Sequence, residues 1–313
     1  MNAKYRISAL RPKTAGSHAV LFNAEGMALV LTLMVLAVLT ALVVEFAYGV
    51  YVNTNALYNW QASQKLSITA KSAIKIASKL ISENINQYSY THPDLLKDFN
   101  GKPFAVAQGT ATIWIEDESS KFNVNSLVFP NGTLNEKAYD SFSRLLKALD
   151  LDERIADRVA DWIDADSVPR LQDSERKAKN GYLDSVDELL LIEGVDMKSY
   201  DTLMPYVTIY GNGLININSA GAPVLMSLSE AIDKEMAGRV IRYREDSPFE
   251  RAEDILKVAG FETTGTSLMG RITVKGTVFH VTSAAKTGDI KRIIESILEI
   301  SDNNSIVRYW KEI

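Results

Sequence analysis

Cysteine is absent from the 313 residues, which excludes disulfides, thiolate metal sites and nucleophilic thiols. Histidine is scarce: His18, His92 and His280 are scattered, leaving little for zinc ligation or imidazole acid–base chemistry. Basic charge is not in excess either. Against 39 acidic side chains stand 34 basic ones, a formal net charge of -5, so the chain lacks the cationic surface that a general polyanion binder needs. There is no Gly-x-Ser-x-Gly elbow, no phosphate loop and no His-Glu-x-x-His. Paired acids such as Asp117 and Glu118 carry no distinction among so many carboxylates. These absences argue against an enzyme.

Charge is missing most conspicuously between Met27 and Val44, eighteen residues that would make roughly 27 Å of helix, close to the thickness of a bilayer's hydrocarbon core. Ahead of the run lie Lys4, Arg6, Arg11 and Lys13 against one acid, Glu25. This asymmetry keeps the N-terminus in the cytoplasm and puts the rest of the chain across the membrane. A cleaved secretory signal would be shorter and end in a small-x-small site; here the run continues into Glu45, Phe46, Tyr48 and Tyr51. A plain signal anchor fits the hydropathy but gives no reason for Gly26 standing immediately before the run.

Beyond the run, Ala70, Ala73, Ile74, Ala77, Leu80, Ile81 and Ile85 keep helical spacing, with Lys71, Lys75 and Lys79 on another face. His92-Pro93 and Asn100-Gly101-Lys102-Pro103 are breakers. Ala111–Ile115 reads as a strand, followed by a polar turn in which Asp117, Glu118, Asn123 and Asn125 are turn-formers. Thr133 and Glu136 form a capping box for a helix whose apolar face is Tyr139, Phe142, Leu145, Leu146 and Leu149. An internal repeat follows. DERIADRVADW (Asp152–Trp162) matches DKEMAGRVIRY (Asp233–Tyr243), and SVDELLLIEGVD (Ser185–Asp196) matches RAEDILKVAGFE (Arg251–Glu262). Each copy reads as helix, connector, helix, closed by Gly194 or Gly260 at a C-cap.

The first copy holds about fifteen extra residues, rich in acids. Asp164, Asp166, Asp173 and Glu175 are candidate ligands for calcium. Asp164, Asp166 and Glu175 have the spacing of EF-hand positions 1, 3 and 12, but Val168 and Pro169 replace the ligand and the glycine that such a loop requires. A looser oxygen site remains open beside the plain alternative, an acidic loop neutralised by Arg170, Arg176, Lys177 and Lys179. Met204–Ala220 reads as two extended pieces with Gly211-Asn212-Gly213 as the turn between them. RITVKGTVFHVTS reads as strand, bent at Gly276. Residues 289–300 fit a helix by isoleucine spacing and a hairpin strand by composition and the Lys286–Asp289 turn.

Gly26 followed by an apolar helix resembles the leader of type IV pilins and pseudopilins, in which a peptidase cuts after the glycine. The fifth residue after that cut is Leu31, where pilin relatives carry Glu. A carboxylate in hydrocarbon is costly and persists only with a partner. The family's Glu pairs with the N-terminal amine of the subunit ahead, so an apolar residue suits a subunit with none ahead. Together with Asp117-Glu118-x-x-Lys121-Phe122-Asn123-x-Asn125-x-Leu127, DWIDAD (Asp161–Asp166) and YVTIYG, this resembles the K-type minor pseudopilins of type II secretion.

The resemblance implies an α+β protein: a pilin-like fold, with a long N-terminal helix and an antiparallel sheet, interrupted by a large helical insertion bearing helix-hairpin-helix-like repeats. The parts would be a leader at 1–26, the start of the transmembrane helix at 27–52, pilin-like segments at 53–128 and 269–313, and the insertion at 129–268. It favours strand for 289–300. It implies prepilin peptidase processing at Gly26 and Met27, methylation, and residence in the inner membrane with a periplasmic C-terminal domain. The implied partners are I- and J-type minor pseudopilins, the major pseudopilin and the inner-membrane assembly platform, and the implied task is capping the pseudopilus tip. DWIDAD strengthens calcium as a structural ion. The competing reading is a membrane-anchored DNA receptor, since helix-hairpin-helix units elsewhere hold phosphate on outward amides. Here Glu193, Asp196, Glu230 and Asp233 stand where phosphate would sit, so no nucleic acid is expected.

N-terminal sequencing of the membrane form is expected to begin at Met27. An intact chain, or a cut elsewhere, contradicts the pilin-type leader.

Overall fold

The computed structural model describes residues 24–91, 99–106, 109–301 and 304–313. The basic residues Lys4, Arg6, Arg11 and Lys13, together with His18 and the His92-Pro93 breaker, lie outside the described residues. The chain divides into two compact units, Met1–Trp60 and Gln61–Ile313. In the first, a helix starts at Ala24, and its apolar side chains from Met27 to Val44 are exposed, over a stretch long and apolar enough to cross a membrane. The same helix ends at Gln87.

Within the second unit the helix supplies one wall of a core. Leu66, Ala70, Ala73, Ile74, Ala77, Ile81 and Ile85 are buried, while Lys71, Lys75 and Lys79 are exposed, as the spacing predicts. Three alanines among these seven let the helix backbone lie close to the sheet. That sheet is five-stranded, in the order β1-β2-β7-β8-β9 and antiparallel throughout. Its strands are β1 (Pro103–Val106), β2 (Gly109–Asp117), β7 (Val278–Thr287), β8 (Ile290–Ser301) and β9 (Asn304–Glu312). Ile113, Ile115, Phe279, Val281, Ile294 and Leu298 face the helix from the three central strands.

The ambiguous isoleucine-rich segment is therefore strand β8. A tight turn with Gly288 at φ 53 pairs Thr287 with Ile290, and the helix covers the face bearing Ile294, Leu298 and Ile300. The available partner strand decides against the helical spacing. Strand β9, which the sequence does not announce, completes the sheet on its exposed edge.

Between β2 and β7 the chain leaves the sheet and builds a mostly helical head with its own core, which runs from Phe122 to Val274 and so extends beyond 129–268 at both ends. Its first helix, Glu136–Ala148, buries Phe142, Leu145 and Leu146. The cap is Asn135, not Thr133: Asn135 accepts from Ala138 N, while Thr133 donates to Asn131. The reason is local pairing of Val128 with Leu134 and of Asn135 N with Leu127 O, which keeps this stretch extended until Asn135.

The two copies share one element order, but it is not the expected helix, connector, helix. After the helices Arg154–Ile163 and Lys234–Asp246, each copy continues as a 3-10 helix, Val186–Leu191 or Ala252–Lys257, rather than a second α-helix. Each then turns at a glycine of positive φ, Gly194 (86°) or Gly260 (95°), into a short helix, Met197–Leu203 or Thr264–Ser267. The equivalent Arg158 and Arg239 lie against those two glycines. Glu188 and Asp254, also equivalent, accept from the backbone N–H groups that open each 3-10 helix.

The Val207–Asn216 region is corrected too. Its extended pieces do not pair with each other: β4 (Val207–Thr208) runs parallel to β3 (Phe122–Asn123), and β5 (Ile215–Asn216) parallel to β6 (Ile272–Thr273). The segment thus stitches the start of the head to its end.

Gly276 marks the re-entry to the sheet. A Cβ there would stand 2.6 Å from Asp117 Oδ1. Gly276→Ala is expected to destabilise the protein by about 1–3 kcal/mol through overpacking, measured by urea unfolding; an unchanged midpoint would show that the contact is slack.

Candidate functional site

Two clusters of buried charge and one glycine among the described residues depart from ordinary packing. The first cluster sits where the head leaves the sheet. Asp117, at the end of β2, is 2% exposed. Its carboxylate accepts from Ser119 N (2.9 Å), Asn216 Nδ2 (2.7 Å) and Ser219 Oγ (2.6 Å). Burial pushes this carboxyl above its usual range, and the hydrogen bonds from Ser219, Asn216 and Ser119 pull it back. Next to it, Lys121 Nζ lies 2.8 Å from Glu118 and 3.2 Å from Glu116, with Lys121 and Glu118 both buried. Asn123 donates to Tyr210 O and Gly211 O, and Asn125 joins both the N–H and the C=O of Leu183. Reading these residues as turn-formers captures only part of their task. Asp117 and Asn123 do cap 3-10 turns, but their side chains also hold segments 99 and 88 residues away.

The second cluster lies in the acidic loop. Asp161, Asp164 and Glu175 bring carboxylate oxygens within 4.8 Å of one another. Of the four residues singled out in the sequence, Asp164 and Glu175 are here. Asp166 is exposed and accepts from Val168 N, and Asp173 is exposed at φ 65. Asp161 takes their place; its burial on the last turn of the preceding helix is invisible in the spacing of the loop's acids. Arg170 donates to Asp161 and, at 2.7 Å, to Asp164, while Ser174 donates to Asp161. One guanidinium against three carboxylates leaves two oxygens, Asp164 Oδ1 and Glu175 Oε1, buried without a partner. Such atoms are rare because each costs about 1–3 kcal/mol. The set is all hard oxygen and fits a hard cation. Glu116, Glu118 and His280 also gather within that distance, but Lys121 fills that cluster and no orphaned oxygen is left there.

The glycine is Gly26. It and Met27 lie inside the N-terminal helix, as does Leu31 four residues on. Nothing lies within 4 Å of where a Gly26 Cβ would be. Gly26 is the third residue of that helix, and among the described residues packing gives no reason for a glycine there.

Residues 120–212 and 215–275 match two family models, both described as type II secretion system protein K. The chain belongs to the type II secretion system protein K family. The protein K of Pseudomonas aeruginosa is 29% identical over 224 residues, covering 65% of this chain and 65% of that protein, just under two thirds of its length. The protein K of Aeromonas hydrophila is 24% identical over 321 residues, covering 90% of this chain and 95% of that one. A chain in the crystal structure of the GspK-GspI-GspJ complex from the enterotoxigenic Escherichia coli type 2 secretion system shares the fold, with TM-score 0.66 at 20% identity over 83% of this chain and 99% of that chain. The protein K matches begin at Ser120, inside the Asp117–Leu127 motif, and end at Lys275, beside Gly276.

Burial raises the Asp164 carboxyl, opposed by Arg170 and helped by Asp166 and Asp161; burial and the charges of Asp161, Asp164 and Asp166 raise Glu175. In this protein K head, a carboxyl raised on folding contributes stability below the ordinary carboxylate range and loses it as pH rises through the folded value. In chelator-treated protein, the stability difference between wild type and Asp164→Asn should therefore shift against wild type as pH rises above the ordinary carboxylate range of about 4. A pH-independent difference in denaturant midpoint would contradict this.

Proposed function

We propose that this chain is the minor pseudopilin that caps the tip of the type II secretion pseudopilus, starts its assembly and so supports protein export across the outer membrane. Membership of the protein K family, joined to Leu31 where a filament subunit carries Glu, is the observation that carries the reading. Gly26 supports it from another side, since packing gives no reason for a glycine there and a peptidase would. After the cut, Met27–Val44 holds the subunit in the inner membrane and later packs in the filament, with the rest of the chain in the periplasm. The I- and J-type minor pseudopilins are the proposed neighbours, by analogy with the related GspK-GspI-GspJ complex. The head between β2 and β7 leaves no seat for a further subunit. No catalytic step is assigned.

Calcium is the proposed structural ion. Asp161, Asp164 and Glu175 would hold it, and its charge would offset the two orphaned oxygens. A melting temperature raised by calcium, not by magnesium, and lost in Asp164→Asn would support this; identical melting in calcium and chelator would remove it.

The DNA-receptor reading gains nothing from the turns that suggested it. Gly260 N, the amide that would meet a phosphate, already donates to Glu262 at 3.0 Å, and Asp196 accepts from Ser199 N.

At the tip no amine stands ahead to pair with an acid at position 31. Leu31→Glu is expected to cost about 2–3 kcal/mol in the hydrocarbon and to lower recovery of the protein with its I- and J-type partners in detergent pull-downs. Equal recovery would count against the tip position, as would labelling of this protein along the length of fibres.

A further inference from the structure

A groove of about 630 Å³ opens on the head. Apolar Phe129, Leu134, Leu214 and Met269 line it, together with Lys137, Ser141 and Arg271. Lys137, Ser141 and Arg144 follow at helical spacing and share one face of the helix Glu136–Ala148. Arg144 donates to Ser227 O (2.9 Å) and to Ser141 Oγ (3.2 Å). Arg271 donates to Leu228 O (2.6 Å) and to the same Ser141 Oγ. One hydroxyl therefore accepts from two guanidinium groups, and its own hydrogen goes to Lys137 O.

Among the described residues neither arginine has an ion-pair partner; both rest on neutral oxygens. Burial and the nearby Arg144 charge hold Arg271 below its usual basicity, with Asp140 on the exposed side of the helix the one acid that draws it back. A partly buried cation without a counter-ion is unusual, because charges removed from water are normally paired. Each guanidinium has five N–H groups and uses two here, so most of the donors that suit a carboxylate are unspent.

The occupant follows from the walls. The volume is many times that of one small ion and lies in the range of organic ligand sites, and much of the lining is apolar. Glu136 also lines the groove, so the formal charge of its lining with Lys137 and Arg271 is +1, and a single negative charge suits it better than a phosphate dianion.

We propose that this groove binds an extended segment of a partner protein carrying one carboxylate flanked by apolar side chains, with the carboxylate seated between Arg271 and Lys137 beside Ser141. The test uses the full-length protein in detergent micelles and Phe-Asp-Leu-amide carrying a fluorophore on its N-terminal amine, followed by anisotropy. The aspartyl peptide is expected to bind saturably and its asparaginyl analogue about tenfold or more weaker. Arg271→Gln should abolish binding. Exposed Lys137→Gln, which leaves the core untouched, should weaken it about threefold and reduce its salt dependence. Equal binding of the two peptides, binding of neither, wild-type affinity in Lys137→Gln, or displacement of the peptide by phosphate more readily than by acetate would each overturn the proposal.

Discussion

The structure turns on a buried carboxylate. Asp117 is the last residue the sheet shares with the outgoing chain, and Phe279, its register partner on β7, is among the first on return. An insertion that begins and ends on neighbouring strands needs something to fix its base. Asp117 does so with three donors, one from its own turn and two from Asn216 and Ser219 in the head. Desolvating a carboxylate costs several kcal/mol, and removing partners from such a group costs more than the group contributes. The arrangement therefore favours specificity of attachment over simple stability. Around it, Ser119 Oγ accepts from Thr277 N, and Gly276 N donates to Thr91 Oγ1, so the end of the first-helix region, the sheet and the head meet at one place.

That junction gives the proposed role its mechanical sense. A subunit that ends a filament has to transmit the position of its helix to its head, or the head cannot obstruct the next site. The helix reaches the sheet through the alanine-rich face from Leu66 to Ile85, and the sheet reaches the head through Asp117, Lys121 and Asn123. Each step is short and buried. The acidic loop and the groove lie in the head itself.

Much of this was legible in the sequence because it rests on period and punctuation. The buried face of the long helix, the apolar face of Glu136–Ala148, the internal repeat and the Gly194 and Gly260 turns all follow from spacing and glycine chemistry. The isoleucine-rich strand β8 was not legible from its own residues, since the choice depended on a partner some ten residues upstream and a helix far away. The cap at Asn135 was missed because the competing bridge from Val128 to Leu134 is a pairing, not a motif. Asp161 gives no sequence signal as a member of the acidic cluster, because the spacing of ligands runs within the loop whereas the fold draws one acid from the helix before it. The hydrogen bond from Arg271 to Ser141 joins positions 130 residues apart and leaves no local trace.

Native-state hydrogen exchange on wild type and Asp117→Ala tests the junction most directly. If Asp117 fastens the head to the sheet, amides in β7 and in the helix Lys234–Asp246 should open together in the wild type and separately in the variant, with the head keeping its protection while the sheet loses it. Common opening in both proteins, with protection unchanged, would contradict the account.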